Sequence, residues 1–125
     1  MSSFRHLNWD EVEAEILTPQ IQRQFINTEK QTIARFVLQR GAVVPTHQHI
    51  SEQTAFVISG ALKFVLDGKE AIIRAGELLS IPANVPHSAE ALEDTVDIDV
   101  FTPPRSDWAA KDDGYLRGEK RKSDS

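Results

Sequence analysis

His47 and His49 stand one residue apart and carry the first hint of chemistry. On an extended strand successive side chains point to opposite faces, so an H-x-H pair turns both imidazoles to one side, within reach of a single metal ion. Neutral imidazole is the commonest metal ligand. Gln53 follows four residues after His49 and offers a carbonyl oxygen. His87 comes at the end of Gly76-Glu-Leu-Leu-Ser-Ile-Pro82-Ala-Asn84-Val-Pro86-His87, where a strand meets a turn marked by Pro and Asn. In an antiparallel barrel that turn brings His87 back beside the first pair. Three imidazoles and an amide oxygen leave one or two positions of a five- or six-coordinate ion open to water or substrate, and nickel, zinc, manganese, iron and cobalt all accept such donors.

A second group lies downstream. Asp97, Asp99 and Phe101 share one face of a strand, and Val96, Ile98 and Val100 share the other. Alternation alone permits two arrangements: the aliphatic face is core and the aspartates meet solvent, or the aspartates line a cavity with Phe101 as its aromatic wall. Arg105 follows two prolines that stiffen its position. It is either a surface charge or a rigid fork for a carboxylate. Arg23 and Arg35 sit on alternating segments and are expected to face outward, although either could supply a second carboxylate contact. His6 reads as surface, Trp9 and Trp108 as packing or dimer residues, and Tyr115 as a possible neighbour of the cavity mouth.

The elements that would hold these residues are short strands. Gln20, Gln22 and Gln24 alternate with Ile21, Arg23 and Phe25; Gln31 to Arg40 alternates as well, with Ala34, Phe36 and Leu38 on one face. Further strands are expected over 54–59, 61–66, 69–74, 77–81, 87–92 and 96–101, divided by Gly, Pro, Asn and Asp. Asp67-Gly68 is a two-residue hairpin signal of the primed-turn type. Asn8 to Glu13 reads as a turn capped by Asn8 or Asp10, and Ser106 to Lys111 as one helical turn. Short strands at this spacing without helical patterns between them predict an all-β sandwich or barrel.

The chain has 125 residues, enough for one domain with a real core. A net charge of −5 argues against non-specific nucleic-acid binding, which needs basic surface. No cysteine is present, so disulfides and thiolate chemistry are excluded. The first residues lack a signal-peptide core, and no apolar run is long enough to span a membrane, so a soluble, cytoplasmic protein is expected.

The two histidine stretches resemble the paired motifs of the cupins. The first reads Gly41, five residues, His47-x-His49, three residues, Gln53, six residues, Gly60; the second reads Gly76, five residues, Pro82-x-Asn84, two residues, His87, three residues, Ala91. Fifteen residues separate them. Three positions depart from the usual pattern: Gln53 replaces an acid, Asn84 a glycine and Ala91 an asparagine. Asn84 can still take a left-handed turn. Glu52 does not rescue the acid, being one residue out of register and facing the other way. With Gln53 the ligands are all neutral, which keeps the full charge of the ion and favours an anionic substrate.

The resemblance implies a single cupin domain, an antiparallel jelly-roll-like barrel of six to eight strands around one divalent metal. The barrel is expected over 31–105, preceded by a strand and turn region (1–30) at a homodimer interface. A short helical or irregular segment (106–117) and a disordered tail (118–125) would follow. The Gln53 variant and the segment after His87 are similar to KdgF-type pectin-degradation cupins, which linearise 4,5-unsaturated monouronates. That similarity implies His47, His49, Gln53 and His87 as metal ligands and Asp99, Phe101 and Arg105 as catalytic and substrate-contacting residues. It implies an anionic sugar acid as substrate and no membrane or nucleic-acid partner. Two other readings stay open: a different metal-dependent cupin enzyme (an oxygenase, lyase or isomerase on a small oxygenated substrate) and a non-enzymatic cupin that binds a sugar or small ligand.

Overall fold

The computed structural model describes residues 4–109 and 114–117. Ten strands occur among them: β1 (Glu15–Thr18), β2 (Ile21–Asn27), β3 (Thr32–Leu38), β4 (Val43–His47), β5 (Glu52–Ser59), β6 (Ala61–Leu66), β7 (Lys69–Arg74), β8 (Leu78–Ile81), β9 (His87–Ala91) and β10 (Thr95–Thr102). The six to eight expected strands become ten, with β1 among the additions. Only Leu17 of β1 is buried, and four residues are too few to display a clear period. A 3-10 turn over Trp9–Glu11 precedes it, and Asn8 caps that turn by accepting from the Asp10 amide at 2.8 Å.

The strands form two antiparallel sheets, ordered β1-β2-β3-β10-β5-β8 and β4-β9-β6-β7. Their facing sides bury one continuous apolar cluster, with Ala34, Phe36, Leu38, Ala55 and Val57 from the larger sheet and Leu62, Phe64 and Ile73 from the smaller. The expected face of β3 is therefore the core face. Among the described residues no helix is long and apolar enough to cross a membrane.

Two turns set the registers that matter for the site. Asp67 and Gly68 have φ of 49° and 83°, the pair of positive values a type I′ hairpin demands, and they join β6 to β7. Gly60, at φ 90°, turns β5 into β6 where the chain touches the start of β10; a Cβ there would collide with the Asp94 carbonyl and with Thr95. The side chain of Thr95 is buried in this corner and bonds both the amide and the carbonyl of Ala61 at 3.2 Å. The phase of β10 is fixed from there.

After β10 the chain passes Pro103 and Pro104 into one helical turn, α1 (Ser106–Ala109), and a 3-10 turn over Gly114–Arg117. Trp108 and Leu116 from these turns are buried in the core. The remainder of the expected 106–111 turn, the Tyr115 side chain and the expected tail 118–125 lie outside the described residues.

Candidate metal centre

His47 is the last residue of β4 and stands opposite His87 on β9 in the ladder. His49 lies in the bend beyond β4, not on the strand that the H-x-H spacing predicts. Its carbonyl accepts from the Asn84 amide at 2.8 Å, and Asn84 has the left-handed φ of 62° expected for the second-motif turn. The turn before His87 thus ties the two histidine stretches together. The ring centroids are 4.4 Å apart for His47 and His87, 5.0 Å for His49 and His87, and 5.5 Å for His47 and His49. One nitrogen from each ring lies within 4.8 Å of the other two.

The tautomers follow from the backbone. Each Nδ1 sits 2.8 Å from a carbonyl two residues away, His47 at Pro45, His49 at Ser51 and His87 at Val85. A carbonyl can only accept, so each Nδ1 carries the proton and each Nε2 is left with a lone pair. His87 Nε2 is buried with no protein partner. Burial first, then nearby positive charge, pushes the His47 pKa down to about 3 and that of His49 to about 4; burial lowers His87 as well. All three rings are therefore neutral at neutral pH and available as metal ligands.

Gln53 on β5 completes the set. Its amide nitrogen donates to Asp99 Oδ2 at 3.0 Å, which turns its Oε1 toward His49 Nε2, 3.1 Å away. With Nδ1 as the protonated nitrogen, these two atoms are both acceptors and repel each other. A shared cation removes that repulsion, so the donor set fits the metal ion expected of it. Glu52 is exposed and faces away, as its register requires.

β10 settles the question that alternation left open. Asp97, Asp99 and Phe101 point into the molecule and are buried, while Val96, Ile98 and Val100 are half-buried on the outer face. The carboxyls of Asp97 and Asp99 lie close enough to share a hydrogen bond. Burial pushes the Asp97 pKa up to about 6 and holds Asp99 well above the usual carboxylate range, with repulsion from Asp97 adding to the latter. Oδ1 of each is buried without a protein partner.

Arg105 is 2 % exposed. Its amide donates to Thr32 Oγ1 at 2.9 Å, and its Nε and Nη2 donate to Asp107 at 2.9 and 2.7 Å. The guanidinium lies over Phe101 (4.8 Å) and Trp108 (4.6 Å). His47, Gln53, His87, Asp97, Asp99 and Arg105 line the polar side of a cavity of about 50 Å³; Phe36, Leu62, Phe64 and Leu116 are among the residues on its apolar side.

Arg23 corrects an expectation. It does not face outward but is 1 % exposed, paired with Glu15 of β1 at 3.1 and 3.2 Å, and lies 4.2 Å over the Trp108 ring. An acid on the neighbouring strand and an aromatic below it compensate the charge, and a period-2 pattern carries no sign of either. Arg35 is half-buried on the outer face and bonds Gln24 at 3.0 Å, as expected of an outward residue. Trp108 is a packing residue, in edge contact with Phe25, Phe36 and Phe101. Asp97, which alternation places on the Asp99 face without a role of its own, lines the cavity beside Asp99, and Asp107, for which the sequence carries no signal, holds Arg105.

Comparison with known proteins agrees with this geometry. The cupin domain family matches residues 34–101. Among curated proteins, "Pectin degradation protein KdgF" of Dickeya dadantii (strain 3937) is 34% identical over 71 residues, which span 55% of this chain and 64% of that protein. The solved structure of KdgF from Halomonas sp. superposes with a TM-score of 0.79 at 30% identity, covering 85% of this chain and 99% of that one. An RmlC-like cupin from Shewanella frigidimarina NCIMB 400 shares the fold, with a TM-score of 0.78 at 24% identity over 85% of this chain and 96% of that one. The family match runs from the buried face of β3 to the last inward residue of β10 and so encloses every candidate ligand and both aspartates: the chain belongs to the cupin family, as a KdgF-like member.

Proposed function

We propose that this protein is a metal-dependent enzyme that converts 4,5-unsaturated monouronates, the products of pectin or alginate breakdown, to their linear keto form. The observation that carries this reading is Asp99, a buried carboxyl held by the Gln53 amide at 3.0 Å beside the three histidines. The KdgF relatives support it, since one is named for pectin degradation.

The reaction is an isomerisation. The proton of the C1 hydroxyl leaves, the C1–O5 bond of the hemiacetal breaks, and C1 becomes an aldehyde. The C4=C5 pair takes a proton at C4, and O5 remains on C5 as the ketone. No electron is gained or lost overall. His47, His49, His87 and Gln53 would hold the ion, which supplies Lewis acidity to substrate oxygens when bound. Burial raises the Asp99 pKa well above the usual carboxylate range, which suits it to give a proton to C4 and recover one from the C1 hydroxyl. Asp97 sits beside it and balances which of the two carboxyls is charged. Arg105 would bind the uronate carboxylate, with Asp107 fixing the plane of its guanidinium. Phe101 gives the ring a flat apolar wall and supports Arg105 from below. A cavity of about 50 Å³ has room for a few waters, so it bars oligosaccharides and admits one sugar ring only with side-chain movement.

The test is the ultraviolet absorbance of unsaturated monouronates mixed with metal-loaded protein. Absorbance should fall rapidly, more slowly after chelation, and about 10²–10⁴-fold more slowly for Asp99→Asn, whose metal content should equal the wild type's. Unsaturated oligouronates should be left unchanged. Absence of turnover on both pectin- and alginate-derived monouronates rules the reading out.

A further inference from the structure

We propose that Asp97 and the indole N–H of Trp108 form a subsite for the C2 hydroxyl of the sugar, and that through it the protein tells pectin-derived from alginate-derived monouronates. This inference rests on the reaction proposed above and adds the contact that separates its two substrates.

Two buried polar atoms are the observation. Asp97 is 3% exposed and Trp108 2% exposed, and both line the cavity. Among the described residues, Asp97 Oδ1 accepts no hydrogen bond and Trp108 Nε1 donates none. Burying such atoms without partners is unfavourable, and native interiors keep few of them. His87 Nε2 and Asp99 Oδ1, buried in the same cavity and also without protein partners, already have roles toward the metal ion and the transferred proton. Asp97 Oδ1 and Trp108 Nε1 have none. A sugar hydroxyl answers both, since it donates one proton and accepts into its lone pairs.

The order of residues along β10 selects the hydroxyl. Phe101 lies under the Arg105 guanidinium, Asp99 is the next inward residue and Asp97 the one after. Inward residues follow one another at about 6.6 Å along a strand. With the uronate carboxylate at Arg105 and the C4=C5 pair at Asp99, the ring continues toward Asp97. The carboxylate is carried by C5, and the ring atom opposite C5 is C2. The C2 hydroxyl therefore reaches furthest from Arg105 toward Asp97. Trp108 flanks the same path: its ring is 5.1 Å from that of Phe101 and 6.1 Å from that of Phe36, which stands opposite Asp97 in the ladder. Configuration at C2 is also what divides the two sources. Elimination removes the stereocentres at C4 and C5, so apart from the anomeric centre the unsaturated products of galacturonate and of mannuronate or guluronate differ at C2 alone. Inverting C2 swings its hydroxyl away and leaves both atoms unmatched, and a site that hydrogen-bonds a hydroxyl rejects a substrate that cannot present it.

The test is the ratio of kcat/KM for the two monouronates on metal-loaded protein. The wild type should favour one of them by about 3–10-fold, the worth of a neutral hydrogen bond. Trp108→Phe keeps an aromatic ring and loses the N–H; Asp97→Val loses the acceptor. Each should cut the preference by about twofold or more, and Asp97→Asn, which keeps Oδ1, should retain it. A merely structural role would slow both substrates alike and leave the ratio unchanged. Circular dichroism checks folding, and Trp108→Phe decides alone if Asp97→Val does not fold. Should neither monouronate turn over, the proposed reaction fails, and calorimetric binding of D-glucuronate and D-mannuronate, unreactive epimers at C2, reads the same ratio. The inference is overturned by a wild-type ratio within about twofold of one, or by a preference that Trp108→Phe or a folded Asp97→Val leaves intact. It is equally overturned if, without turnover, neither uronate binds in the millimolar range.

Discussion

Gln53 does two jobs at one position. Its oxygen faces the histidines, and its nitrogen holds Asp99. Gln53→Glu would keep an oxygen ligand but set a second carboxylate against Asp99 where a donor now stands 3.0 Å away. That variant should bind metal more tightly, by charge, and turn over more slowly, by about tenfold or more, because the pair must share a proton and the ion is partly neutralised. Metal titration with steady-state turnover on the same preparation checks both halves. The four candidate ligand positions were legible in the sequence because their spacing is set by local backbone: His47, Gln53 and His87 at or near strand ends and His49 in the loop after β4. The setting of Arg23 was not, since what makes it matter is a pair of neighbours brought from elsewhere in the chain. Arg23 meets Glu15 across a ladder and Trp108 from beyond β10.

At the scale of elements, β1 shows how a strand that looks dispensable supports the site. Through Glu15 it fixes Arg23, which lies on Trp108, which carries Arg105 and touches Phe101. Glu15→Ala removes the acid to which Nε and Nη2 of this buried guanidinium donate. Such losses cost about 3–5 kcal/mol in fully buried pairs, and the 24% exposure of Glu15 reduces this to about 2 kcal/mol here. Urea denaturation should read that loss, and KM for the monouronate should rise more than kcat falls, because the disturbance reaches substrate through Arg105. The period of β2, β3 and β6 to β10 could be read from alternation, and their turns from Gly, Pro, Asn and Asp. Which face of β10 is the core face could not, since alternation has a period but no direction. The turn at Gly60, packed on Asp94 and Thr95, supplies the direction.

For the whole molecule, the buried titratable groups divide by sign. The histidines have folded pKa values below their ordinary 6.5, so the stability they contribute is complete above about pH 6.5 and is lost as pH falls toward 3–4. Asp97 and Asp99 have raised values; the contribution of Asp97 is complete below about pH 3.8 and is lost as pH rises through about 6, and Asp99 acts in the same direction. The two limbs oppose each other across the acid range. Asp97→Asn removes part of the second limb, so in metal-free protein its melting temperature relative to wild type should be higher at pH 7.5 than at pH 4.5. Thermal scans in chelator at the two pH values measure the difference.

The phase of β10 has one more consequence. A strand written Val-Asp-Ile-Asp-Val would, left to its own hydropathy, rest with aliphatics inward and acids in water. The protein holds it half a period out of step, anchored at the corner of Gly60 and Thr95. One residue deleted between Glu93 and Thr95 would release it. The result should be a barrel with an oily interior and a wettable coat, stripped of the carboxyls that now line its cavity. In this chain the inward acids and the outward aliphatics are two sides of a single frustrated ribbon, and neither can be relaxed without surrendering the other.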